Sequence, residues 1–215
     1  GPYGFLEDYI PNFICNHSDA QGRYAFDQQP GIGLWNLNAL AHALSTLIST
    51  EDINQALSRY EPHIRHCFAA KIRAKLGLAE NDADDVVLAT QWLALLEKES
   101  ADYTLSFRRL CDFQCDQENP ALRDQFVDRE AFEQWSHLYQ QRLTLESAND
   151  RERQMAMKKH NPKYILRNHL AQKAIEMAEQ EQDFSEIDQE TLAAIKAYPN
   201  VISSSIERYR FREAG

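Results

Sequence analysis

Between residues 15 and 24 the chain places a thiol, an imidazole, a carboxylate and a guanidinium in one short stretch: Cys15-Asn16-His17-Ser18-Asp19-Ala20-Gln21-Gly22-Arg23-Tyr24. Such a mixture can contact a substrate or a nucleotide directly, with His17, Asp19 and Arg23 as the candidate residues. It can equally be architecture. Asn16, Ser18 and Asp19 carry short polar side chains that fold back onto neighbouring amides, and Asp19 can pair with Arg23 to hold a loop shut. The residues alone leave both readings open.

Two further clusters could serve a metal or a nucleophile. His63, His66 and Cys67 fall on one expected helix, and Cys111 and Cys115 are spaced so that both thiols can share a helical face. Structural zinc needs two such pairs at loop-compatible spacing, whereas cysteine is buried often enough for packing alone, so the expectation is core or surface residues and no zinc. For Cys15 and Cys67 a nucleophilic role rests only on the general availability of histidines, including His17. The chain has no Gly-x-Ser-x-Gly elbow, no Gly-x-x-x-x-Gly-Lys phosphate loop and no His-Glu-x-x-His. Gly31-Ile32-Gly33 lacks the third glycine and the preceding strand of a dinucleotide site.

The elements that must position these residues begin with an irregular segment. Five of the seven glycines lie within residues 1 to 33, with Pro2, Pro11 and Pro30, so residues 1 to 34 are expected to form one long ordered loop. From Trp35 the apolar residues recur at helical spacing, through Leu37, Leu40, Ala41, Leu44, Leu47 and Ile48, which predicts a largely buried helix. Ser49 or Thr50 caps a helix carrying Ile53, Ala56, Leu57 and Tyr60, which breaks or restarts at Pro62. Ile64, Cys67, Phe68, Ile72 and Leu76 predict the next, with Gly77 as its left-handed C-cap. Acidic residues 81 to 85 precede a helix over Val86 to Leu96. Asp102 and Asp128 cap helices bearing Phe107 and Leu110, and Phe132, Trp135 and Tyr139, with residues 112 to 127 as a connection. Asn161-Pro162 reads as the start of a helix through Leu166, Leu170, Ala174 and Met177. A short helix follows over about Asp188 to Tyr198, and residues 201 to 211 are where a strand or a loose tail competes. The fold class is therefore all-α, with residues 35 to 215 as one helical unit.

Composition narrows the partners. The chain has 215 residues, 43% of them hydrophobic, enough for a substantial core. Its 33 acidic against 23 basic residues give a net charge of -10, and the basic residues do not cluster, so neither nucleic acid nor an anionic membrane is an expected partner. No run approaches the roughly 20 apolar residues of a membrane span, and the first residues do not read as a signal peptide. Four irregularly spaced cysteines suit a reducing compartment, and the expected location is the cytoplasm.

Several motifs then carry a resemblance. Gly1-Pro2-Tyr3-Gly4-Phe5-Leu6, Asn16-His17-Ser18-Asp19, Gly22-Arg23-Tyr24, Gln29-Pro30 and Leu34-Trp35-Asn36-Leu37 resemble the segment that runs from the magnesium motif into the next large helix of the selenoprotein O family. Asn161-Pro162-Lys163-Tyr164-Ile165-Leu166-Arg167-Asn168 resembles a second motif of that family. The resemblance implies a bacterial-type protein adenylyltransferase with a kinase-like fold, which transfers AMP from ATP to Ser, Thr or Tyr hydroxyls of protein substrates with magnesium or manganese. It makes residues 1 to 34 similar to an activation segment and the rest similar to a helical C-lobe with its C-terminal extension.

Gly1-Pro2 looks like the end of the family's Asp-Tyr-Gly-Pro motif. The resemblance therefore puts the metal-binding Asp, the catalytic loop and the ATP-contacting cations outside these residues. On that reading this chain alone holds no catalytic, cofactor-binding or metal-binding residue, needs no ATP or metal, and is inactive. Cys15 falls where family members place a cysteine that pairs with a late one in a redox-regulatory link. The sequence has no cysteine after Cys115, so that pairing has no partner within these residues. The alternative from another class is a non-catalytic helical interaction module. Oligomeric state does not follow from the sequence.

Overall fold

A computed structural model describes residues 6–15, 18–165, 167–183 and 185. Among them the regular elements are a single 3-10 turn, Phe26–Gln28, and the helices α1 (Gln29–Ala43), α2 (Thr50–Leu57), α3 (Tyr60–Leu76), α4 (Asp85–Lys98), α5 (Tyr103–Leu110), α6 (Pro120–Arg123), α7 (Arg129–Leu143), α8 (Asp150–His160) and α9 (Asn168–Glu181). Extended backbone pairs among the described residues only at one antiparallel bridge, Asp8 with Asp102. The all-α expectation therefore holds for these residues. The expected helix at 188 to 198 and the contested segment 201 to 211 lie outside them.

Local signals placed several helix ends. The Ser49 side chain accepts from the Asp52 amide, Asp102 from Leu105 and Asp128 from Ala131, each supplying an acceptor to an otherwise unpaired first-turn donor. Gly77 closes α3 at φ 72°, and a Cβ there would collide with the side chains of Arg153 and Met157. Glycine is required at this position both for its conformation and for the close approach of α8.

Several expectations need correction, among them residues 112 to 127, where the expected connection contains the short helix α6. First, α1 starts at Gln29, six residues before Trp35, because Pro30 occupies the first turn, where a missing amide costs nothing. Second, α8 was not anticipated, since Arg151 to His160 is mostly charged. Its start is marked by a capping box in which Asn149 and Glu152 each bond the other's amide. Third, Asn161 does not open a helix. It caps the C-terminus of α8, its amide donating to the Met157 carbonyl, and α9 begins only at Asn168.

The core is built by α3, α4, α5, α7 and α8. Leu76, Trp92, Leu96, Phe107, Leu110 and Tyr139 are fully buried. Trp135 packs 4.4 Å from Trp92 and stacks on Tyr139 at 5.0 Å, geometries that add to the area buried. Two of these aromatics also satisfy their polar tips, Trp135 donating to the Leu88 carbonyl at 3.0 Å and Tyr139 to that of Leu76 at 2.6 Å, whereas the buried Trp92 indole N–H has no partner among the described residues.

No residue of α1 or α2 is buried. The burial expected of the helix through Trp35 and Leu40 is thus not found here, where Trp35 is 54% and Leu40 55% exposed.

Candidate functional site

The loop carrying Asp19 and Arg23 is tied to the core at its start. Tyr9 donates its amide to Ala101 and Tyr103 donates to Glu7, both at 2.9 Å, so the chain before the loop lies against the entry to α5. Leu6 and Tyr9 bury their side chains, and Tyr9 stacks on Tyr103 at 5.5 Å. The loop then folds on itself, with Phe26 donating to Phe13 and Asp27 to Pro11.

At the turn, Asp19 does what a short acidic side chain does best in a loop. Its two carboxylate oxygens accept from the backbone amides of Arg23 at 3.0 Å and Tyr24 at 2.7 Å. Gly22, at φ 69°, lets the chain reverse within that ring, and its carbonyl accepts from Ala25, which is buried. The side-chain-to-backbone part of the architectural reading is therefore present, and the Asp19 to Arg23 ion pair is not. The Arg23 guanidinium instead stacks 4.2 Å over the Trp35 ring and 5.7 Å from Tyr24. Trp35 was expected as a packing residue of its helix; its role as a platform for Arg23 depends on how the loop meets α1.

Asp19→Ala should loosen this loop while leaving the helical core intact, because two charge-assisted bonds to exposed backbone are lost and no core contact is. Amide exchange at Arg23 and Tyr24 is expected to speed up by roughly tenfold, corresponding to about 1.4 kcal/mol of local opening. An equal loss of protection across α3 to α8 would contradict it.

His17 and Asn16 lie outside the described residues. Cys15 is exposed. His63 Nε2 lies 3.5 Å from Cys67 Sγ, one turn away on α3. Among the described residues no three His, Cys, Asp or Glu side chains converge as metal ligands.

Cys111 and Cys115 are held in their thiol forms. Burial raises the Cys111 pKa, and burial together with the Asp150 carboxylate raises that of Cys115, whose thiol donates to Asp150 Oδ1 at 3.3 Å. A thiol kept protonated is a poor nucleophile and a poor metal ligand.

A second polar centre was not visible in the sequence. Asn161 is fully buried where α3, α5 and α8 meet. Its side-chain amide donates to the Lys75 carbonyl at 2.8 Å and contacts Cys111 Sγ at 3.5 Å, its side-chain oxygen accepts from Lys75 Nζ at 3.0 Å, and its backbone carbonyl accepts from Arg108 at 2.9 Å. The Lys75 ammonium lies 4.6 Å from the Phe107 ring centre and 5.3 Å from that of Tyr103, and burial lowers its pKa to about 8. The first residue of the Asn161 to Asn168 motif thus joins three helices.

Comparison with known proteins bears on both motif regions. The family model described as "Protein adenylyltransferase SelO" matches residues 1–195, spanning the Asp19 loop, the core and the Asn161 segment. The chain belongs to the SelO family. Relatives of this SelO-family chain are named "Protein nucleotidyltransferase YdiU". The protein from Erwinia tasmaniensis is 53% identical over 181 residues, 84% of this chain and 38% of the relative. That from Yersinia pseudotuberculosis is 51% identical over the same shares. That from Vibrio cholerae is 49% identical over 215 residues, 97% of this chain and 43% of the relative. The chain therefore spans about two fifths of the length of these curated relatives. The family is one of protein nucleotidyltransferases, whose chemistry uses a nucleotide substrate. No helix among the described residues is long and apolar enough to cross a membrane.

Proposed function

We propose that this chain is the helical portion of a protein adenylyltransferase that moves AMP from ATP onto Ser, Thr or Tyr hydroxyls of other proteins, using magnesium or manganese. The observation that carries the reading is the SelO family match over residues 1–195. In this reading the nucleotide and metal are held by the part of a family-length polypeptide that the chain does not span, so the isolated chain has no catalysis of its own. Nucleotidyl transfer depends on gripping phosphates and neutralising developing charge with metal and cations.

The Asp19 loop and α1 act in this reading as the activation-segment-like part of a kinase-like C-lobe. The loop is ordered by Asp19, pinned to the core at Tyr9, and presents Arg23 and Tyr24 at the surface. The partners are protein substrates rather than nucleic acid or membrane, in keeping with the net charge of -10, and the setting is the cytoplasm.

The test uses ATP labelled on its α-phosphate, a cell extract as a source of acceptor proteins, and magnesium or manganese. A family-length polypeptide carrying these 215 residues is expected to transfer label to protein, and the 215-residue chain alone is not. Absence of transfer by the long form would remove the activity, and transfer by the short form would remove the division of labour.

A further inference from the structure

Helix α1 presents a contradiction between composition and environment. Ile32, Leu34, Trp35, Leu37, Leu40 and Ala41 point around its whole circumference, so that it has no polar face to offer solvent. A helix apolar on all sides belongs in the interior of a larger fold or in a bilayer. At fifteen residues it is too short for the bilayer, which needs roughly 20. Yet none of its residues is buried.

The same mismatch continues onto α3, which changes character along its length. Its C-terminal half sends Ile72 and Leu76 into the core, while its N-terminal half leaves Phe68 50% exposed. Between this half of α3 and α1 runs an apolar groove of about 620 Å³, whose walls include Pro30, Leu34, Ile64, Cys67 and Phe68. Exposed apolar surface of this extent and continuity marks an interface.

We propose that the α1 surface and the α1–α3 groove are the seat on which the remainder of a family-length SelO polypeptide packs. The occupant is argued from length: the chain accounts for 38% to 43% of relatives that are about half identical to it, leaving more than half of such a polypeptide to cover this face. The α3 helix thereby belongs to two cores at once, with its C-terminal half in the core described above and its N-terminal half in a second core shared with the remainder. This inference rests on the division of the polypeptide made under the proposed function, but it concerns burial and not catalysis. A long form that fails to transfer AMP would leave it standing.

Cys67 lies in the groove and serves as a built-in reporter. Maleimide labelling followed by peptide mapping is expected to modify Cys67 in the 215-residue chain and to do so at least tenfold more slowly in a family-length polypeptide carrying the same residues. As a second arm, Leu40→Glu and Phe68→Glu change side chains that are already half exposed, so the Tm of the 215-residue chain should hold within about 2 °C, the scale of a fraction of a kcal/mol in a chain this size. The same changes should lower the Tm of the long form by several degrees, because there a charge would be forced into a covered apolar face. Equal labelling of Cys67 in the two forms, or equal tolerance of the glutamates, overturns the proposal. So does concentration-dependent protection of Cys67 in the 215-residue chain accompanied by a dimer mass, which would make a second copy the occupant.

Discussion

Replacing Arg142 with alanine is expected to destabilise the chain by about 3–5 kcal/mol, the range for removing one partner of a buried ion pair. Arg142 is 7% exposed, and its guanidinium donates to Asp85 Oδ1 at 2.6 Å, to Glu146 Oε1 at 2.7 Å and to the Glu80 carbonyl at 2.7 Å. Burial works against its positive charge, but the bonds to Asp85 and Glu146 outweigh burial and hold its pKa above the usual guanidinium value. The acids it neutralises are buried as well, Asp85 fully and the Glu146 side chain at 2% exposure. Glu146 also accepts from the amides of Ala79 and Glu80, so one network joins the turn after α3, the start of α4 and the end of α7.

Arg142→Ala would leave two carboxylates in low dielectric, with the Arg73 guanidinium, 4.0 Å from Asp85, as the remaining cation paired with them among the described residues. Urea denaturation measures the loss. A companion variant, Arg142→Met with Asp85→Leu, removes the cation and the fully buried one of its two acids and should recover part of the loss, Glu146 remaining bonded to the amides of Ala79 and Glu80, because the dominant penalty is the orphaned charge rather than the missing attraction. A loss below about 1 kcal/mol for the alanine variant would mean that solvent reaches the pair.

The Lys75→Met substitution is expected to act in the opposite direction and stabilise the chain. Among the described residues Lys75 has no carboxylate partner; its ammonium rests on two aromatic rings and donates to the Asn161 side chain and the His160 carbonyl. Burial lowers its pKa from 10.5 to about 8, so over that interval the folded state binds fewer protons than the unfolded state. Stability therefore rises with pH between about 8 and 10.5, and below pH 8 the full cost of burying the charge is present. The difference of about 2.5 pH units corresponds to roughly 3 kcal/mol at 1.36 kcal/mol per unit. Losing the bonds to Asn161 and to the His160 carbonyl offsets about 1–2 kcal/mol of that. A net gain of about 1–2 kcal/mol at pH 7 follows.

The check is the difference in unfolding free energy between parent and variant across pH 7 to 10. That difference should shrink as pH rises. Cys111 and Cys115 have raised pKa values, so the folded state holds their protons longer and stability falls through the thiol range, opposite in sign to the lysine. Both thiols are present in parent and variant, so the subtraction removes the Cys115 contribution, while Cys111, which interacts with Lys75, contributes to the difference with the sign opposite to the lysine. A difference that stays constant with pH would show that Lys75 titrates as an exposed lysine does.

How far the sequence could be read depended on the distance between cause and effect. Helix ends set by a residue and an amide three positions away were legible, as at Ser49, Asp102 and Asp128, and Gly77 announced its left-handed cap. Helix α8 was missed because its pattern is charged, although Asn149 and Glu152 carried a usable signal. Asn161 was misread for a subtler reason. Its type and the proline after it suit a helix start, but its side chain is taken up by Lys75, far away in sequence. In the candidate loop the sequence suggests an Asp19 to Arg23 ion pair, yet the acid takes two backbone amides and the guanidinium lies over Trp35.

By itself the sequence determined the all-α class of the described residues, several of the caps that bound their helices, and, through the motifs at Gly1 to Leu37 and Asn161 to Asn168, the family. Those properties reside in short stretches, where spacing along the chain equals spacing in space. Only the tertiary structure decided that Arg142 serves Asp85 across 57 positions, that Lys75 is half-buried with no carboxylate partner among the described residues, and that none of the α1 residues is buried. Each of these depends on which surfaces meet, and an apolar period in a helix states that a face seeks cover without naming what supplies it.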